Sequence, residues 1–255
     1  MFEGFSLVVW VVLAVAAGCV GFAKTAIGGI GMVAVALFAV VLPARESTGA
    51  LLPLLIAGDV VAVAAYRRHG SWRTVLALLP GVVPGLVVGA LFLAAVGDKT
   101  LQLVLGATLL LLSVWQLVLR IRARRTRDDD AAPGPSASRP VAIAAGAGAG
   151  FATMTANAAG PVMTLYLVMA GLPKLQMLGT GAWFFLVVNL MKVPFSASLK
   201  LIDPPSLLLD LALTPAMLVG AAAGWLLVRR LHQQQFEVAA LGLAAVSAAL
   251  LLATA

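Results

Sequence analysis

"GFAKTAIGGIGM", residues 21–32, sets one lysine and four glycines into a stretch that is otherwise apolar or weakly polar. Lys24 is the one charged residue between Gly4 and Ala44. A straight helix over that region would run about 60 Å, twice the ~30 Å hydrocarbon core of a bilayer. Glycine also weakens a helix by about 1 kcal/mol relative to alanine. The stretch therefore reads as a break within a membrane segment.

Composition places the chain in a bilayer. Its 255 residues are 62% hydrophobic and 11% charged, against roughly 25% charged in soluble domains, and the mean hydropathy is +1.06. Several apolar runs exceed the ~20 residues a helix needs to cross. They are long, rich in Leu, Ala and Val, and lack the ~10-residue alternating segments of a membrane β-barrel. The N-terminal run has no basic n-region and outlasts a signal peptide, so it reads as the first membrane segment. Cys19 is the single cysteine and fits a small packing residue. The net charge of +7 sits in short loops between apolar runs, which is the pattern of cytoplasmic loops rather than of a nucleic-acid partner.

The centre of the chain, "LRIRARRTRDDDAAPGPSASRP" at 119–140, reads as a flexible polar linker. On either side the sequence repeats. "GFAKTAIGGIG" at 21–31 aligns without gaps to "GFATMTANAAG" at 150–160. Pro43 then falls opposite Pro173, Gly49 opposite Gly179 and Asp59 opposite Asn189. "LPGVVPGLVVG" from Leu79 matches "TPAMLVGAAAG" from Thr214, pairing Pro80 with Pro215, Gly85 with Gly220 and Gly89 with Gly224. The expected organisation is a first repeat at 1–119, a linker at 120–140 and a second repeat at 141–255. The fold class is an all-α polytopic membrane protein of 8–10 membrane segments. Each half opens on one broken or hairpin segment, 4–44 and 140–173, followed by three transmembrane helices. These are expected near 46–66, 74–97 and 100–119, then 175–199, 205–228 and 235–254. Repeated halves are common among secondary transporters.

Arginine positions set the expected topology. Arg67, Arg68 and Arg73 mark one loop, and the linker arginines mark another two spans later. If both are cytoplasmic, Arg229 and Arg230 join them only when residues 140–173 enter and return to the same side. Eleven of the twelve arginines then face the cytoplasm, and the two halves are inverted repeats.

Polar groups at membrane depth are costly and face cavities or one another. Here they are Lys24, Thr25, Asp59, Thr153, Thr155, Asn157, Asn189 and Lys192. Asn189 lies one helical turn before Lys192 in "NLMKVPF", and Pro194 frees a carbonyl nearby. A cation, an amide and bare backbone suit a small anion, and broken helices add N–H donors, here around Gly28 and Gly29. Other uses compete. Lys192 is near enough to its segment end to snorkel. Asp59 is in reach of Arg67 or Arg68, and the two threonines can bond their own helix. Lys24 lines a site if its turn stops at mid-membrane, and otherwise sits in an exposed loop. Lys192 is thus the stronger of the two lysines as an anion ligand, and Asp59 the proton-linked carboxylate.

No catalytic set is visible. His69 and His232 lie beside basic loop residues, no cluster has metal-ligand spacing, and the Lys24 segment lacks the P-loop pattern. Neither an enzyme, a metal nor a cofactor is expected. The remaining readings are an uncoupled anion pore and, with less support, a membrane enzyme or assembly factor.

The glycine-bearing break early in each half, the proline-to-glycine stretch of a later span, "NLMKVPF" and the polar central loop resemble the TauE/SafE family of membrane transporters. The second break, "NAAG", departs from the glycine-rich form. The resemblance implies a multi-pass carrier of the bacterial inner membrane that exports sulfite, organosulfonates or related organic anions. It also implies secondary transport coupled to the proton gradient. Its partners would be a small anion and the lipid bilayer, with a homo-oligomer compatible. In that reading Lys24, Thr25, Gly28, Gly29, Thr153, Thr155, Asn157, Asn189 and Lys192 form the substrate site.

Overall fold

The computed structural model describes residues 5–26, 30–97, 99–101 and 138–227, with isolated positions between 103 and 118. The described residues are helical apart from short turns. Much of the expected third span, the last span, most of the linker, and Arg229 and Arg230 lie outside them.

The first half contributes α1 (Leu7–Thr25), α2 (Ile30–Val41), α3 (Ala44–Tyr66) and α4 (Trp72–Ala95), with a 3-10 turn at Arg67–His69. The second contributes α5 (Arg139–Ala156), α6 (Gly160–Met169), α7 (Lys174–Ser198) and α8 (Pro204–Leu227). Local chemistry explains the starts. Ser6 and Ser71 cap α1 and α4, each side chain accepting from an amide three residues on. At α8, Asp203 and Ser206 exchange hydrogen bonds between side chain and amide in both directions, and Pro204 takes the first helical position, where its missing N–H costs nothing.

Five helices, among them α1, α4, α7 and α8, are long and apolar enough to cross a membrane. The outer faces carry Val11 and Val15, Leu76, Val83 and Leu91, and Leu208, Leu211 and Val219, all exposed. Asp59, Asn189 and Lys192 are buried instead. This inversion of the soluble pattern fits a lipid-facing surface. α2 and α6 have 12 and 10 residues, about 18 Å and 15 Å, too short to cross. Each opening region is therefore a long helix, a break and a short helix.

Glycines set the packing of the long helices. A Cβ on Gly21 would collide with the Met217 carbonyl and the Ala221 amide of α8. A Cβ on Gly150 of α5 would meet the Val82 carbonyl and the Leu86 amide of α4. In the sequence alignment Met217 stands opposite Val82, and Ala221 opposite Leu86. The same exchange relates Gly220 against Gly18 to Gly85 against Ala147, and Gly224 against Phe22 to Gly89 against Phe151. Contacts between the halves thus repeat at the register that the alignment gives. Small residues allow this approach where no hydrophobic force drives helices together in lipid.

The contacts also give helix directions. Gly18 lies against Ala216 and Gly224 against Phe22, so α1 and α8 run parallel. Gly81 lies against Ile143 and Gly89 against Phe151, so α4 and α5 are parallel too. Gly49 meets Leu201 and Tyr66 meets Gly179, so α3 and α7 are antiparallel. α1 and α3 are parallel, since Val20 and Lys24 flank Gly58 while Thr25 bonds Tyr66. Arg45 of α3 donates to the carbonyls of Leu93 and Val96 at the end of α4, which makes that pair antiparallel. Hence α1 and α5 point in opposite directions, as do α3 and α7, and α4 and α8.

Candidate functional site

Both breaks are held by side chains from other helices. α1 ends at Thr25, whose carbonyl accepts from Tyr66 Oη at 2.7 Å, satisfying one of the acceptors a helix end leaves bare. The Thr25 hydroxyl donates to the Ala221 carbonyl of α8 at 2.8 Å. α5 ends on Asn157, in the left-handed region at φ 49, which asparagine tolerates better than most side chains. Its Nδ2 donates to the Thr48 carbonyl of α3 at 3.1 Å, and its Oδ1 accepts from Lys192 Nζ at 2.5 Å. Asn157→Ala removes both bonds and leaves a buried ammonium short of an acceptor. It is expected to lower stability by about 2–3 kcal/mol, read as thermal unfolding in detergent, with Asn157→Gly costing somewhat less because glycine loses the same bonds but takes the left-handed conformation without strain.

Between the breaks lies a buried polar cluster. Lys24 Nζ is 2.6 Å from Asp59 Oδ1, a close ion pair at the centre of the cluster. Asp59 Oδ2 accepts from Asn189 Nδ2 at 2.6 Å. Lys192 Nζ reaches Thr153 Oγ1 at 3.4 Å as well as Asn157. Asp59 is 0% exposed and Lys192 1%. Lys24 also lies over the Phe185 ring, 4.6 Å from its centroid, a contact that steadies a cation. Its place in the last turn of α1 adds the favourable end of the helix dipole.

Asp59 pairs with Lys24 and not with Arg67 or Arg68, and Lys192 faces inward with its ammonium on Thr153 and Asn157. Six of the residues singled out in the sequence come together: Lys24, Asp59, Thr153, Asn157, Asn189 and Lys192. Thr155 bonds the Phe151 carbonyl of its own helix, and Thr25 serves the α1–α8 contact. Gly28 and Gly29 lie outside the described residues. Tyr66, Thr48, Thr164 and Phe185 had no sequence signal, being ordinary residues of apolar spans.

A cavity of about 160 Å³ opens at this cluster, walled by Lys24, Asp59, Gly160, Met163, Thr164 and Phe185. A narrower one of about 70 Å³ shares Lys24 and Phe185 and reaches Thr153, Asn157 and Asn189. Both are small against the roughly 300–1,000 Å³ of drug-sized sites, a size for a small ion or molecule. Lys24 is on both walls and Lys192, held on Thr153 and Asn157, is on neither. A larger cavity, about 270 Å³, lies at the far end among Arg45, Glu46, Lys200 and Asp203. There Arg45 serves the end of α4 and Asp203 caps α8, so two of its four charged groups already have structural work.

A cation at the wall of a small cavity, with amides, hydroxyls and the N-terminal end of α6 at Gly160 around it, is suited to an anion. A family model described as sulfite exporter TauE/SafE matches residues 13–251. No curated protein and no solved structure matches the chain. With almost the whole chain covered, and with apolar helices built to cross a bilayer several times, the protein is a multi-pass membrane protein and belongs to the TauE/SafE sulfite exporter family.

Proposed function

We propose that the protein is a secondary transporter that exports a small anion, such as sulfite or an organosulfonate, across the bacterial inner membrane. The anion binds at Lys24 between the two breaks, and Asp59 couples its movement to protons. The observation that carries this reading is the cavity itself, which joins Lys24 and the buried Asp59 to both interrupted helices. Thr153, Asn157, Asn189 and Lys192 complete the polar surroundings.

The carrier works by alternating access of two inverted repeats, 1–119 and 141–255, joined by the 120–140 linker. The opposed directions of α1 and α5, α3 and α7, and α4 and α8 support this arrangement. So does an asymmetry. The main cavity lies against Met177, Leu178, Gly181 and Ala182 of α7. This end of α7 adjoins the Arg67–His69 turn, where Ser71 N bonds Thr180 Oγ1 at 2.9 Å. The aligned positions in the first half, Ser47, Thr48, Leu51 and Leu52, are buried and line neither central cavity. The cavity meets α7 and not the aligned stretch of α3, an asymmetry that favours a carrier over an uncoupled pore.

In a protein with Cys19→Ala, a thiol probe is expected to label Met177→Cys about tenfold or more faster than Leu51→Cys, and transported substrate to narrow that ratio by exposing the second position. Equal labelling of the two, unmoved by substrate, argues against alternation. The transport reading itself is tested in proteoliposomes with sulfite, sulfonates and carboxylates. Saturable uptake and counterflow of at least one sulfur oxyanion is expected, and the absence of both across the panel contradicts it.

A further inference from the structure

We infer that the anion and a proton travel through this site together, in the same direction, with Asp59 Oδ1 as the atom that receives the proton. This rests on the reading of the Lys24 cavity as the substrate site. The cavity wall contains one ammonium and one carboxylate in contact at 2.6 Å. The pair is neutral as it stands. An anion that reaches Lys24 Nζ must share it with a carboxylate already there, and the cavity then holds two negative groups against one positive in an apolar surround. Protonation of Asp59 removes that excess.

The geometry leaves one oxygen able to take the proton. Asp59 Oδ2 is engaged by Asn189 Nδ2. Oδ1 is in contact with Lys24 at 2.6 Å and has no second partner, so it is the oxygen left bare when Lys24 turns to the anion. When the anion draws Lys24 away, a proton on Oδ1 replaces the charge that Oδ1 loses. The step is a simple transfer: one proton leaves water, one O–H bond forms at Oδ1, and the anion keeps its charge against Lys24. Reversal on the opposite side releases both.

The surrounding helices leave few other acceptors. α3 brings Tyr66, whose hydroxyl donates to the Thr25 carbonyl. α7 brings Lys192, which bonds the neutral oxygens of Thr153 and Asn157 and lines neither cavity at Lys24. α2 carries no titratable side chain, α5 has only Arg139 at its start, and neither Tyr166 of α6 nor Asp210 of α8 lines either cavity. Binding is reciprocal: if a proton strengthens anion binding, the anion strengthens proton binding by the same factor. An inward proton gradient therefore favours anion entry, and export is driven by the anion's own gradient, each anion leaving with a proton.

The test needs a substrate whose charge does not change with pH, so methanesulfonate and 2-hydroxyethanesulfonate are used rather than sulfite. Proteoliposomes are clamped at zero potential with potassium and valinomycin, and a trapped dye reports lumenal pH. Sulfonate added outside is expected to acidify the lumen at one proton per anion. Affinity of the purified protein for the same sulfonate is expected to fall up to tenfold per pH unit on the alkaline side, and to be flat with pH in Asp59→Asn. Sulfonate entry with no pH change overturns the inference and assigns the balancing charge to Lys192. Lumenal alkalinisation overturns it in favour of exchange. Failure of counterflow for both sulfonates and for sulfite overturns the transport reading with it, whereas counterflow without proton entry overturns the coupling alone.

Discussion

Lys24→Met is expected to reduce transport at least about 100-fold and to destabilise the protein in the same step. The first effect follows because Lys24 is the cation on the wall of both central cavities, so an anion there loses its partner. The second follows because Asp59 is fully buried, and removing one member of a buried ion pair strands the other at a cost of about 3–5 kcal/mol. The two effects separate in a double variant. Adding Asp59→Asn to Lys24→Met removes the stranded charge and is expected to restore most of the thermal midpoint. Transport stays lost, because no ammonium returns to the cavity. A double variant that regains both stability and transport would show that the pair is a structural tie and that the anion binds elsewhere. Lys192→Met behaves differently: its ammonium holds Asn157 at the second break, so the change is expected to act through that break, lowering the maximal rate more than the affinity.

The second large effect concerns the glycines that let long helices touch. Gly21→Ala and Gly150→Ala each push a methyl into the backbone of a neighbouring helix, where no side-chain rotation gives relief. Each is expected to cost about 2–3 kcal/mol, with Gly21 the costlier, since its methyl would press closer to the Met217 carbonyl oxygen than that of Gly150 to the Val82 carbonyl oxygen. Gly148→Ala is the control. Its Cβ would meet only Val162 at 3.8 Å, an ordinary contact, so the substitution is expected to be neutral or to stabilise by up to about 1 kcal/mol. Thermal unfolding of the three variants in detergent provides the comparison. A large loss at Gly148, or a silent change at Gly21, would contradict the packing described.

Much of this architecture is legible in the sequence because bilayers impose strict lengths. The excess of residues 4–44 over one crossing forces a break, and the glycines after Lys24 locate it. The alignment of 21–31 with 150–160 carries over to three dimensions, where Gly21 and Gly150 meet counterpart carbonyls. The starts of α3, α4, α7 and α8 lie within a few residues of where hydropathy puts them. What hydropathy does not give is azimuth. Whether Lys24 or Lys192 faces the cavity depends on the rotation of α1 and α7 about their axes, and nearly every neighbour of either lysine is apolar. The sequence therefore ranks Lys192 first for its depth and its adjacent asparagine. In the structure that same depth lets it be consumed by Thr153 and Asn157. Phe185 illustrates the same limit. One of two adjacent phenylalanines in an apolar run, it is set apart only by lying against Lys24, a relation between positions 161 residues apart that no local pattern encodes.

The far cavity sharpens the choice of central test. Arg45 and Lys200 also offer positive charge there, in a larger space, but with Glu46 and Asp203 beside them. A sulfonate that carries a heavy scatterer discriminates between the two places directly. A crystal structure of the protein soaked with 2-bromoethanesulfonate is expected to show the bromine signal in the central cavity, with the sulfonate oxygens at hydrogen-bonding distance from Lys24 Nζ, about 2.7–2.9 Å. Bromine found only among Arg45, Lys200 and their neighbours, with the Lys24–Asp59 pair undisturbed, would contradict the account.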